Sequence, residues 1–259
     1  NQLGTNDGRG RPVNPFTEKP YEDQLIPRGD YARVLAEFWA DGPQSETPPG
    51  HWNVVANQIC DHPLFERKWM GIEEIPTKLE WDAKMYLTLN GALHDTAISI
   101  WGIKGYYQGS RPISAIRYIG SLGQSTSPEL LNFNKMGFPL VQDLIELVTE
   151  ENTRPGQKMD HLVGNEGKIA VRSWQGAPIP LRPNRGVNWI LAEEWIPYQK
   201  ATFVTPPFPG YVSGHSGYSR AAAEVLTAIT GSEYFPGGMG EYTFQPNSFL
   251  SFETGPSQL

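Results

Sequence analysis

Three basic side chains in two short stretches offer the most chemistry in this sequence. Lys104 and Arg111 lie in Lys104-Gly105-Tyr106-Tyr107-Gln108-Gly109-Ser110-Arg111-Pro112, and His215 lies in Gly210-Tyr211-Val212-Ser213-Gly214-His215. A guanidinium is a planar fork of donors, an ammonium is a compact point charge, and both suit an anion with several oxygens. Gly214 stands beside a helix start, where backbone can approach a ligand closely and unpaired N–H groups favour a tetrahedral oxyanion. A histidine next to such an anion can trade protons with it. The plainer alternative is a Pro/Gly-rich turn with a Ser helix cap and a solvated His215. For the first stretch the plainer alternative is a core Trp101 beside a snorkelling Lys104.

The order Lys, six residues, Arg-Pro, then Ser-Gly-His resembles the first two motifs of the vanadium-dependent haloperoxidases and the related acid phosphatases. Trp101, three residues before Lys104, extends the likeness. So does the run Thr205 to His215, which is similar to the chloroperoxidase branch and includes Phe208 five residues before Ser213. The resemblance covers residues 79 to 230. Val212 stands where the family has a proline before Ser-Gly-His. The third family motif, an Arg followed six positions later by a His, is absent.

The resemblance implies a mainly α protein, a helix bundle with long Pro/Gly-rich loops. It implies vanadate as cofactor, held by Lys104, Arg111, the Ser213 hydroxyl and the Gly214 N–H. It gives His215 the acid–base role and makes Lys104 the group that polarises peroxide toward attack by halide. Trp101 and Phe208 become the weakly hydrated wall beside the halide. The implied reaction oxidises halide with hydrogen peroxide to hypohalous acid. The acid phosphatases imply instead a phosphate ester in the same pocket and a His nucleophile, and a non-catalytic relative is the third class. The vanadium-ligating His belongs to the absent motif, so no metal ligand is assigned in this chain and that His is expected beyond Leu259. The five histidines are 51, 62, 94, 161 and 215. Arg154 and His161 are seven apart and precede Ser-Gly-His, so they do not substitute. A serine hydrolase is disfavoured because neither Ser213 nor Ser216 has the Gly-x-Ser-x-Gly spacing.

Composition bounds the remaining classes. The 259 residues can bury a full core, read here as a single domain and part of a longer protein: an irregular arm (1–29), a helical core (30–230) and an irregular or hairpin tail (231–259). With 39% apolar residues, 23 Pro and 27 Gly, helices must be joined by long ordered loops. A net charge of −7 without a basic run argues against nucleic acid as a partner. The single Cys60 excludes an internal disulfide. No stretch of about 18 apolar residues is available to span a membrane. The pattern is compatible with a soluble protein, secreted or periplasmic. The chain starts at Asn1 without a signal pattern, which reads as processed or incomplete.

The elements that must position the three cations follow from spacing and caps. Asp30 caps a helix over 31–39 with Val34, Leu35, Phe38 and Trp39 on one face. Gln44 to Gly50 reads as a loop, and Trp52 to Cys60 as a helix that stops before His62-Pro63. Thr77-x-x-Glu80 is a capping box, after which a helix runs to about Ile103. Its stripe is 79, 83, 86, 90, 93, 97 and 101, with Lys104 one turn further, a buried hydrogen-bonded His94 nearby, and Gly105 and Gly109 as breakers. Pro112 to Ile119 is a helix with Arg111 at its start. Pro139 to Glu150 is read as another helix, Lys168 to Trp174 as a strand or bend, and Asn188 to Trp195 as a short amphipathic helix. The chain turns through Ser213-Gly214-His215 and runs into a final helix over 221–229 that Gly231 stops. Phe-rich 243–254 is read as a hairpin or a segment lying on the bundle.

Overall fold

The computed structural model describes residues 13–20, 35, 38–39, 45–176, 186–199 and 205–238. The sequence-read hairpin at 243–254 and most of the helix at 31–39 and the arm at 1–29 lie outside the described residues. The chain divides into two compact units, Asn1–Ile26 with Trp39–Tyr107 and Val212–Phe244, and Pro27–Phe38 with Gln108–Tyr211 and Gln245–Leu259.

The first unit is built on three helices, α1 (Pro48–Cys60), α2 (Lys78–Tyr107) and α4 (Gly214–Thr230), with a short antiparallel ladder of β1 (Lys68–Trp69) and β2 (Glu73–Glu74). α1 begins earlier than the sequence suggests. Thr47 caps it by accepting the Gly50 N–H at 3.2 Å, so Pro48 and Pro49 occupy a first turn where proline costs nothing. α2 starts as expected, with the Glu80 N–H donated to Thr77 Oγ1 at 3.2 Å. It runs past Gly105 to Tyr107 and ends where Gln108 takes a φ of 48°.

The buried stripe of α2 shares Leu93, the partly buried Ala97 and Lys104 with the one the spacing suggests and differs from it elsewhere. Trp81, Met85, Leu89, Leu93, Ile100 and Lys104 are buried, whereas Leu79 is 80% exposed. His94 is exposed and, among the described residues, pairs with its neighbour Asp95 at 3.4 Å, so the buried-His reading is corrected. The inner stripe packs with Val55, Ala56 and Ile59 of α1 and Ala222, Leu226 and Ile229 of α4. At the end of α4, Gly231 takes a left-handed φ of 74°, and a Cβ there would lie 2.6 Å from Gly71 Cα. Glycine at both places lets the β1–β2 turn dock on the helix end, where the Met70 N–H donates to Ile229 O at 2.7 Å.

The second unit contains α3 (Pro112–Leu122) and a three-stranded antiparallel sheet, β3 (Ile145–Leu147), β4 (Ile169–Trp174) and β5 (Val187–Leu191), in the order β3-β4-β5. This sheet replaces two expected helices, over 139–150 and 188–195. Val171 pairs with Ile145 on one side and with Ile190 on the other. β4 is buried on both faces, Ile169 and Val171 in one apolar cluster and Ala170 in another with Val148, Met159 and Trp189. A short 3₁₀ turn, Ala192–Glu194, leads out of β5 and packs against α3. There Arg117 Nε donates to Trp195 O at 2.7 Å. The described residues are therefore helix-rich but not purely helical. No described helix is long and apolar enough to cross a membrane.

Candidate functional site

The sequence-predicted residues fall into two sets, one in each unit. In the first unit, Lys104 occupies the last turn of α2 and is 3% exposed. Its Nζ lies 5.8 Å from the Trp101 ring centroid, so the ammonium and the indole do share one wall. Trp101 is 42% exposed, and its ring tilts at 45° against Tyr218, with centroids 6.3 Å apart. The same indole reaches the start of α4, because a Cβ on Gly214 would lie 3.6 Å from Trp101 Cη2. Lys104, Trp101 and Gly214 are thus linked by direct neighbours, and Tyr218 backs them.

α4 starts at Gly214, earlier than the expected 221, and Ser213 is its N-cap, as in the plainer reading. This serine is extended, with φ −68° and ψ 127°, and its Oγ accepts the Ser216 N–H at 3.2 Å. That bond uses one lone pair and leaves the hydroxyl hydrogen available as a donor. Among the described residues no acceptor meets the Gly214 N–H. His215 is half-buried in the first turn of α4. Burial pushes the Tyr218 phenol above its ordinary pKa, so it is neutral behind the indole at any ordinary pH.

In the second unit, Arg111 and Phe208 come together. Arg111 is the N-cap residue of α3, with φ −74° and ψ 151°, and its side chain does not cap the helix. It turns instead to Phe208: Nε donates to the Phe208 carbonyl oxygen at 2.7 Å, and Cζ lies 4.6 Å from the ring centroid. The Nη2 atom is buried and has no hydrogen-bond partner among the described residues. Burial lowers the Arg111 pKa from its ordinary value, yet a guanidinium remains charged at any pH a protein survives. A buried cationic donor without a carboxylate partner is an expensive arrangement unless an anion completes it.

Two features of these sets were not singled out from the sequence. Tyr218 follows Gly214 by one helical turn, so 3.6-residue spacing could have placed its ring on the same face. The contact of Gly109 with the segment after Phe208 joins residues about a hundred positions apart, and no local signal announces it. The Gly210 N–H donates to Gly109 O at 3.0 Å.

Compared with known proteins, residues 148–258 match the VCPO second helical-bundle domain. The matched stretch is less than half of the chain; it holds Phe208, Ser213, Gly214 and His215 but not Trp101, Lys104 or Arg111. No curated protein and no solved structure matches the chain. The family match supports a relative of the vanadium haloperoxidase type.

Proposed function

We propose that the protein is a vanadium-dependent haloperoxidase, which oxidises halide with hydrogen peroxide to hypohalous acid, within a helix-bundle fold of that family. The observation that carries this reading is the buried Nη2 of Arg111, a cationic donor with no partner among the described residues. The donor set fits an oxyanion better than a bare cation. The second unit offers a guanidinium; the first offers a buried ammonium, a hydroxyl that donates to no acceptor among the described residues, and an N–H at a helix start. Vanadate held by such donors would supply a Lewis-acid centre that activates peroxide without changing oxidation state.

The roles of the chain's own residues follow. Arg111 and Lys104 neutralise the anion, and the Ser213 hydroxyl and Gly214 N–H donate to its oxygens. His215 holds or releases a proton at a ring nitrogen beside the anion. Lys104, desolvated against Trp101, polarises peroxide through its ammonium. Trp101 and Phe208 exclude water where the halide arrives. The vanadium ligand is not assigned to any of the chain's five histidines.

The test is peroxide-dependent bromination and p-nitrophenyl phosphate hydrolysis, measured side by side after incubation with orthovanadate. Halogenation supports the proposal. Hydrolysis without halogenation assigns the pocket to an acid phosphatase, and neither activity assigns the chain to a non-catalytic relative. His215→Ala and Lys104→Ala are each expected to lower halogenation by at least about a hundredfold while the urea midpoint barely moves. Retained activity in either variant refutes its assigned role.

A further inference from the structure

Phe208 touches Arg111 in two independent ways. Its carbonyl takes the Nε–H at 2.7 Å and its ring covers the guanidinium at 4.6 Å. The carbonyl and the ring hold one edge and one face of the same planar group. Because Nε is committed, the Nη1/Nη2 end of the fork remains for a ligand, and it is there that the buried Nη2 lacks a partner among the described residues.

The backbone that carries Phe208 is stiff for reasons visible in the sequence. Pro206, Pro207 and Pro209 surround it. Proline at 207 and 209 fixes its own φ and confines the residue before it to extended conformations. The Phe208 carbonyl direction is thereby preset. The next residues are drawn onto the Gly109–Arg111 loop through the Gly210 N–H bond to Gly109 O, at 3.0 Å. A Cβ on Gly210 would sit 3.0 Å from Ser110 O and 3.4 Å from Arg111 Cα, and one on Gly109 would sit 2.9 Å from Tyr211 Cβ. Glycine at both positions therefore sets the distance between the two segments, and that distance places Phe208 over the guanidinium.

We propose that Phe208 is a positioning residue: its ring and carbonyl orient Arg111 so that the Nη end of the guanidinium meets a tetrahedral oxyanion. The inference rests on the reading of Arg111 as an oxyanion-binding group, and it adds a role for Phe208 apart from lining the halide wall. A stacked aromatic face and a flexible aliphatic one differ in how well they hold a guanidinium, and the loss on truncation corresponds to about tenfold in affinity.

The experiment measures binding of orthovanadate and of inorganic phosphate by titration calorimetry on the whole chain, with no turnover involved. The variants are Phe208→Leu, Phe208→Tyr, Arg111→Ala, and Phe208→Leu combined with Arg111→Ala. Phe208→Leu is expected to weaken both anions by about tenfold, whereas Phe208→Tyr, which keeps the ring, stays within about threefold. In the Arg111→Ala background Phe208→Leu should change nothing further, because the residue acts only through the guanidinium. The Arg111 Nε–H resonance gives a second, anion-free readout. It should be shifted by the ring current and slow to exchange in the parent and in Phe208→Tyr, and should lose the shift in Phe208→Leu. Equal affinity in Phe208→Leu while Arg111→Ala weakens binding overturns the positioning role alone. So does an additive loss in the double variant. Unchanged binding in Arg111→Ala overturns the oxyanion reading and this inference with it.

Discussion

Gly217→Ala and Gly91→Ala are the same substitution in two helices of one unit, and the structure gives them opposite signs. A Cβ at Gly91, on α2, meets nothing within 4 Å. Alanine there restricts the unfolded chain and improves helix propensity, a gain of about 0.5–1 kcal/mol. A Cβ at Gly217, in the first turns of α4, would overlap Ile100 Cδ1, with Ile100 Cγ1 at 3.1 Å and Thr96 Cγ2 at 3.5 Å. Ile100 is only 5% exposed, so it has little room to withdraw. Overpacking of this kind costs about 1–3 kcal/mol, which outweighs the propensity gain and leaves a net loss of about 1–2 kcal/mol.

Urea unfolding followed by tryptophan fluorescence reads both effects. Heating should agree, at about 2–4 °C per kcal/mol for a chain of roughly this size. Ile100→Val removes the overlapping Cδ1. Alone it should cost about 0.5–1.5 kcal/mol. Combined with Gly217→Ala, the total should fall short of the sum by about 1 kcal/mol, since the two changes share one contact. Stabilisation by Gly217→Ala, or strict additivity with Ile100→Val, would refute the close approach of α2 and α4. The contact of Trp101 with Gly214 depends on that approach, so the stability result also bears on how the indole is held against the α4 N-terminus.

Two further outcomes test other parts of the structure. Gln124 is fully buried, accepts the Thr126 and Ser127 N–H groups at 2.8 and 2.9 Å, and donates to Ser127 O at 2.7 Å. Gln124→Leu strands those groups and should cost about 2–4 kcal/mol, with new proteolytic cleavage within 123–138; an unchanged urea midpoint would dismiss the hub role. Burial raises the Cys60 thiol pKa, against the opposing effect of Trp81 Nε1, which donates to Sγ at 3.1 Å. The folded thiol therefore keeps its proton where the unfolded one has begun to lose it, and stability should fall as pH rises above about 8.5. Thiol labelling at pH 8 should be much slower in the folded protein than in urea, and equal rates would contradict the burial.

What the sequence disclosed was what local chemistry decides. Ser213, Gly231, Thr77 and Pro112 mark helix ends through bonds and φ values that involve only near neighbours, and each end lies where those residues put it. The expected helices over 139–150 and 188–195 failed for the opposite reason. Val141, Leu144, Ile145 and Val148 fit a helical period, but Ile145–Leu147 pairs with β4 residues 22 to 26 positions away and Val187–Leu191 with β4 residues 13 to 21 positions away, and pairing of that kind leaves no signature in either segment. On α2 the phase was ambiguous because apolar residues occur all round the helix. Leu87 and Ile98 are 78% and 62% exposed while Leu89 and Leu93 are buried, so several stripes fit the sequence equally well.

The same division between local and distant information explains why the candidate residues could be named before their surroundings were known. Lys104 lies in the last turn of α2, Arg111 occupies the N-cap position of α3 and Ser213 caps α4, so all three stand near helix termini, where residue type and spacing are most informative. Their side-chain directions are a separate matter. Nothing near Arg111 in the chain indicates that its guanidinium would turn from its own helix to a phenylalanine 97 residues later. Nor does the sequence near Lys104 say that its ammonium would be buried rather than snorkelling to water. Both orientations come from long-range packing; an exposed lysine and a capping arginine would be two ordinary surface charges. Buried beside an indole in one case and stacked on a phenyl ring in the other, each cation carries a desolvation cost that an exposed side chain would not.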